Sequence, residues 1–194
     1  MTDSGKLTLE QAKRLLAVST TEEHLLKHAL AVSSAMGAMA GHFGADADHW
    51  RAVGYLHDYD YQLHPDEHLK HTERELLAEG VDAVSVRAVL AHGWGACTDV
   101  VPESDLEKSL YAVDELTGLI SANARMRPTG IHGLEPSSVK KKMKDKKFAA
   151  KIDRSVIVKG AEMLGMDISE LISLCVDGMT PHAHELDIAG ADGE

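Results

Sequence analysis

Aromatic residues make up only 4% of this 194-residue chain, and there are two cysteines. Strands favour aromatic and β-branched side chains, so a chain this poor in aromatics and rich in Ala, Leu, Val and Met points to close-packed helices rather than a sheet. No stretch alternates apolar and polar residues over a strand's length. Cys97 and Cys175 lie far apart and form no CxxC, which argues against a thiolate zinc site. Without a secretion signal they read as reduced thiols. No apolar run approaches the roughly 20 residues that span a bilayer. The opening MTDSGKLTLEQAKRLL is polar and lacks an apolar signal core, so a cytoplasmic protein with no membrane contact is expected. Basic residues are also few: 20 Lys and Arg against 31 Asp and Glu leave a net charge of −11 at pH 7. That balance excludes a general nucleic-acid-binding surface. It leaves room for a small phosphorylated substrate held at one basic spot. Neither a fixed-period repeat nor low complexity beyond a short lysine run is present.

What the chain does contain is capped, amphipathic segments. Thr8 with Gln11, Thr20 with Glu23 and Ser104 with Glu107 are capping-box patterns, and Asp46 or Asp48 and Asp82 are further N-caps. Apolar residues at steps of three and four predict helices to about Val18, from Glu22 to Gly41 or Gly44, from Asp46 to near Asp58–Tyr61, from Pro65 to Glu79, from Asp82 to His92 and from Asp105 to about Met126. Pro128, Gly130, Gly133 and Pro136 break the pattern. Amphipathic segments then begin near Ser137, Arg154 and Asp167, and a polar tail expected to fray follows from Pro181. The sum is an all-α protein of eight or nine helices.

The twelve histidines carry the functional information. His28, His57, Asp58, His68, His92 and Asp114 fall on or beside the inward faces of five successive predicted helices. Taken singly, each has an ordinary structural explanation: a hydrogen-bonded core histidine, a polar pair ending a helix, a flank carboxylate paired with an arginine. Taken together, they place several polar groups in one core, where each unsatisfied group costs on the order of a few kcal/mol. A divalent metal removes that cost, and imidazole with carboxylate suits an ion of intermediate softness. His68, Thr72 and Leu76 share one stripe of the Pro65–Glu79 helix, with His71 pointing away. Asp60 can orient a ligand or a water from behind the metal ligands. The run Lys140, Lys141, Lys142, Lys144, Lys146 and Lys147 reads as a solvated helix face or as a guide for anionic substrates. Arg125 and Arg127 are alternative phosphate contacts. His182 and His184 read as surface residues.

The ordered set KHALAV around His28, GYLHDYDY around His57-Asp58, AVLAHG around His92 and LYAVDELTGLI around Asp114 resembles the HD-domain superfamily of metal-dependent phosphohydrolases. The resemblance spans about Leu25 to Ile120. The later VKKKMKDKKFA and GAEMLGMDISELI resemble the C-terminal part of small stand-alone bacterial members. The resemblance implies a single HD-domain-like helical bundle over residues 1–127 (core about 22–125), a C-terminal helical extension packed on it over 128–180, and the tail 181–194. It implies one or two divalent ions (Mn, Fe, Ni, Co or Zn), one of them held by His28, His57, Asp58 and Asp114. His92 fits a position that binds a second ion, and His68 fits another, with Thr72 where the family has glycine and His71 as the alternative. Asp58, His68 and His92 are the expected catalytic residues. The implied activity is hydrolysis of a nucleotide or other small phosphate ester by metal-activated water. Two other readings stay open: a di-iron oxygenase, or a silent regulatory module with a protein partner. A homodimer is compatible with either.

Overall fold

The periodic apolar stripes become nine α-helices, with no strand, among residues 5–191, which the computed structural model describes. Helix α1 spans Leu9–Ser19, and Thr8 Oγ1 accepts the Gln11 N–H at its start. Helix α2 spans Glu23–Phe43 and closes at Gly44 in the left-handed region. The capping box expected at Thr20 and Glu23 does not form. Thr20 instead closes α1, and the N–H groups of Thr21 and Glu22 donate to Gln62 Oε1 at 2.8 and 3.0 Å. A side chain distant in sequence satisfies the donors that a local cap would have served.

Helix α3, Ala47–Leu56, is capped by Asp46 and packs closely on α2. A Cβ at Gly54 would meet Met36 Cγ at 2.9 Å and Ser33 Cα at 3.1 Å, so a side chain here would force Met36 and α2 to shift. It brings the end of α3, and therefore His57, against α2.

The continuous helix expected over Pro65–Glu79 is broken. A single 3-10 turn covers Pro65–Glu67, Leu69 takes φ 67°, and helix α4 spans only Thr72–Ala78. The cause is Asp60. Its fully buried carboxylate accepts the Leu69 N–H at 2.9 Å and faces His68 Nδ1 at 2.7 Å. A buried carboxylate needs such donors, and capturing them diverts the backbone from the helix.

Helix α5, Ala83–His92, starts on the Asp82 carboxylate. Val84 in its first turn is exposed, while Val86, Val89 and Leu90 are buried. Helix α6, Asp105–Ala124, opens with the complete Ser104–Glu107 capping box. Helices α7 (Pro136–Lys144), α8 (Arg154–Leu164) and α9 (Ile168–Met179) follow. Helix α8 lies so close to α6 that a Cβ on Gly160 would stand 2.5 Å from Ala112 Cβ. Helix α9 covers α2. One hydrophobic core runs from Leu7 to Ala189, so the turns after Arg127 begin a segment that shares that core.

The tail from residue 181 is not a frayed polar segment. Ala183, Leu186, Ile188 and Ala189 are buried, and Ile131 N–H donates to Ile188 O at 2.7 Å while Ala191 N–H donates to Pro128 O at 2.8 Å. Four apolar side chains interleaved with polar ones are enough to anchor it. Residues 192–194 of that tail, and residues 1–4 at the other end, lie outside the described residues. No described helix is long and apolar enough to cross a membrane.

Candidate metal centre

His28 projects from the second turn of α2, His57 and Asp58 follow the last turn of α3, His92 ends α5, and Asp114 stands in the middle of α6. His68 comes from the irregular segment between α3 and α4. All six meet in two adjoining sets. In the first, His28 Nε2 lies 2.9 Å from Asp114 Oδ1 and 3.2 Å from His57 Nε2. His57 Nε2 is 3.4 Å from Asp114 Oδ1 and 3.3 Å from Asp58 Oδ2, and His28 Nε2 is 3.7 Å from that same oxygen. In the second set, Asp58 Oδ1 is 3.3 Å from His68 Nε2 and 3.6 Å from His92 Nε2, which are 3.4 Å apart. Asp58 therefore offers one oxygen to each set.

These distances suit a cation at each focus. Ligands about 2.0–2.2 Å from a tetrahedral or octahedral ion stand roughly 3.0–3.5 Å from one another. The ring orientations agree. His57 Nδ1 donates to Gly54 O at 2.8 Å and His92 Nδ1 donates to Val89 O at 2.5 Å. A carbonyl only accepts, so each Nδ1 carries a proton and each ring turns its Nε2 inward. Lone pairs that converge on carboxylate oxygens repel unless a proton or a metal ion lies between them. His68 Nδ1 pairs with the Asp60 carboxylate, the arrangement that orients a ligating imidazole and raises its basicity.

The charges show the same pull towards a cation. Burial alone would push the His57 imidazole down, yet Asp58 and Asp114 outweigh it and hold it well above its ordinary value. For His68, burial is likewise overcome by Asp58 and Asp60, and its value rises to about 9. Burial would raise both Asp58 and Asp114, but the facing imidazoles hold both well below the ordinary carboxylate range. Glu115, next to Asp114, goes the other way: burial and the Asp114 charge push it up to about 7.

A cavity of about 440 Å³ opens onto the set. Tyr61, Trp94 and Tyr111 give it flat apolar walls, and Ile152 and Val156 bring in the C-terminal helices. Trp94 is steadied by the Lys159 ammonium 3.5 Å above its ring centre. Sequence reasoning missed Glu115, Tyr111, Ile152 and Val156 as cavity residues. Tyr111 and Glu115 could have been found from Asp114, since they lie three residues before it and one after it on α6. A neighbouring cavity of about 710 Å³ shares His24, His28 and Gly118 with the first and reaches Lys27 and Arg125.

Several candidates fall elsewhere. His71 faces Glu67 and His64, outside the centre. Arg127 donates to the carbonyls of Gly130 and Gly133, and Arg125 to that of Leu186. None of the six lysines of the run lines the 440 Å³ cavity. His182 pairs with Glu185, and His184 lies near Arg125 and Arg127. No family model, curated protein or solved structure matches the chain.

Proposed function

We propose that this chain is a metal-dependent phosphohydrolase acting on a nucleotide or other small phosphate ester. The observation that carries the reading is Asp58, whose two oxygens face two separate imidazole sets. His28, His57, Asp114 and Asp58 Oδ2 would hold one divalent ion, and Asp58 Oδ1, His68 and His92 a second. Such ions lower the pKa of bound water and neutralise charge on phosphoryl oxygens. With only the first set filled, His68 Nε2 and His92 Nε2 are free to carry a proton towards the leaving oxygen; with both filled they serve as ligands. The aromatic walls would take the organic part of the ester by stacking and exclude water around it. The resemblance of the four sequence motifs to the HD-domain superfamily supports the same reading.

The test is a panel of nucleotides and phosphomonoesters and phosphodiesters, offered to protein reconstituted separately with Mn, Fe, Ni, Co and Zn. Metal-dependent release of phosphate or nucleotide is expected, and Asp58→Ala should abolish it. A metal-replete protein inert on the whole panel, together with an Asp58→Ala variant of unchanged metal content, would contradict the proposal. The four-imidazole, two-carboxylate donor set also suits an iron pair. Turnover that needs iron and consumes oxygen would favour that second reading.

A further inference from the structure

We propose that His64, Glu67 and His71 form an outer site for one divalent ion of the zinc class, separate from the inner centre. One ligand atom from each residue lies within 4.8 Å of the other two. His71 Nε2 is 3.3 Å from Glu67 Oε2, and the His64 and His71 rings stand 4.5 Å apart, tilted by 53°. His64 precedes the 3-10 turn at Pro65–Glu67, Glu67 closes that turn, and His71 stands at the start of α4, so the three come from one short stretch of chain.

The chemistry selects the ion. Two imidazoles and one carboxylate favour zinc, nickel or copper over magnesium or calcium, which prefer oxygen ligands. Three protein ligands would leave a further position for water, and Glu67 is exposed to solvent. Glu67 is exposed and the two histidines are half-buried, so small side-chain rotations close the three atoms onto one ion without disturbing the core. The acidic chain also raises the local cation concentration.

The position gives this ion a role. His64 and His71 flank His68, four residues before it and three after it. The segment between them has no α-helix beyond the single 3-10 turn and contains Leu69 in the left-handed region. An ion joining His64 to His71 would brace both ends of the segment that presents His68 to the inner centre. The outer site uses none of the inner ligands and does not depend on the proposed activity.

Equilibrium dialysis against Zn²⁺, followed by metal analysis, tests it on the full chain. His64→Ala/His71→Ala should bind one equivalent fewer than the parent protein. Asp58→Ala should keep the outer ion while losing inner zinc. Glu67→Gln, an exposed change that spares the fold, should weaken the outer ion about tenfold or more. Zinc binding by the double variant and by Glu67→Gln that matches the parent in both stoichiometry and affinity would overturn the proposal. Failure of the inner centre would show differently, as an Asp58→Ala variant with unchanged zinc content.

Discussion

The two halves of the candidate centre are held by different kinds of backbone. His28 and Asp114 project from the interiors of α2 and α6, and His57 sits at the end of α3, pressed against α2 through Gly54. Those positions are fixed by the hydrophobic core. In the other half His92 ends α5, but His68 stands on a segment without α-helix, beside a residue at φ 67°, and is held by one buried carboxylate, Asp60. The half built on helices should therefore be robust to changes around it. The half built on the segment should fail when a single hydrogen-bond partner is altered.

Asp58 joins the halves, so its loss should have the largest effect. Asp58→Ala is expected to lower metal-dependent turnover about a thousandfold or more, equal to roughly 4 kcal/mol of transition-state stabilisation. Steady-state kinetics with added metal will measure it. A variant that keeps more than about a tenth of parental turnover would remove Asp58 from the centre.

Asp60→Asn separates the halves. It should weaken the ion of the His68 set by about 10–100-fold, the usual result of losing a partner behind a ligating histidine, and leave the His28–His57–Asp114 set nearly unchanged. Two-step metal titration by calorimetry distinguishes this from an equal loss at both sites, which would dissolve the comparison.

The third prediction concerns pH. Without metal, His68 is held at about 9, so below that pH an ion must displace its proton. Affinity at the His68 set should rise with pH by up to about tenfold per unit and level off above about 9. The sign for stability is opposite. A raised imidazole stabilises the ion-free fold fully below about 6.5, and that contribution fades as pH climbs from about 6.5 to about 9. Thermal melts of metal-free protein should therefore drop across that window. A flat profile in both measurements would show that Asp58 and Asp60 do not hold the His68 proton.

The smallest effect should come from the lysine run. Lys141, Lys142 and Lys144 border a separate surface cavity with Arg127, away from the centre. Replacing all three with serine should leave turnover within about twofold, as is usual for surface changes remote from a site. A larger fall in kcat/KM that deepens at low salt would show that they steer substrate.

Much of the helical half was legible in the sequence, because periodic stripes and caps are local. Thr8, Asp46, Asp82 and Ser104 open helices as their side chains suggest, and Asp114 stands beside a clear apolar stripe. In the segment half His68, His92 and Asp60 were named, but the shape of the segment was not legible, because it is set at a distance. Pro65 through Glu79 has a helical pattern, but the Asp60 carboxylate takes the Leu69 N–H and breaks it. Thr20 and Glu23 likewise look like a cap, yet Gln62, some forty residues on, takes the donors. The tail misled for another reason. Its four buried apolar residues are spaced too irregularly to form a stripe, and only the 128–131 turn gives them a place. His71, which the helical pattern already turns away from the His68 stripe, stands outside the centre with His64 and Glu67.

The most direct test of the central claim is anomalous diffraction from crystals loaded with manganese. The account predicts two peaks about 3.5–4 Å apart, one on each side of the Asp58 carboxylate, the spacing of a shared two-ion site. One should be bonded to His28, His57 and Asp114, and the other to His68 and His92. A map with no peak bonded to Asp58 would contradict it.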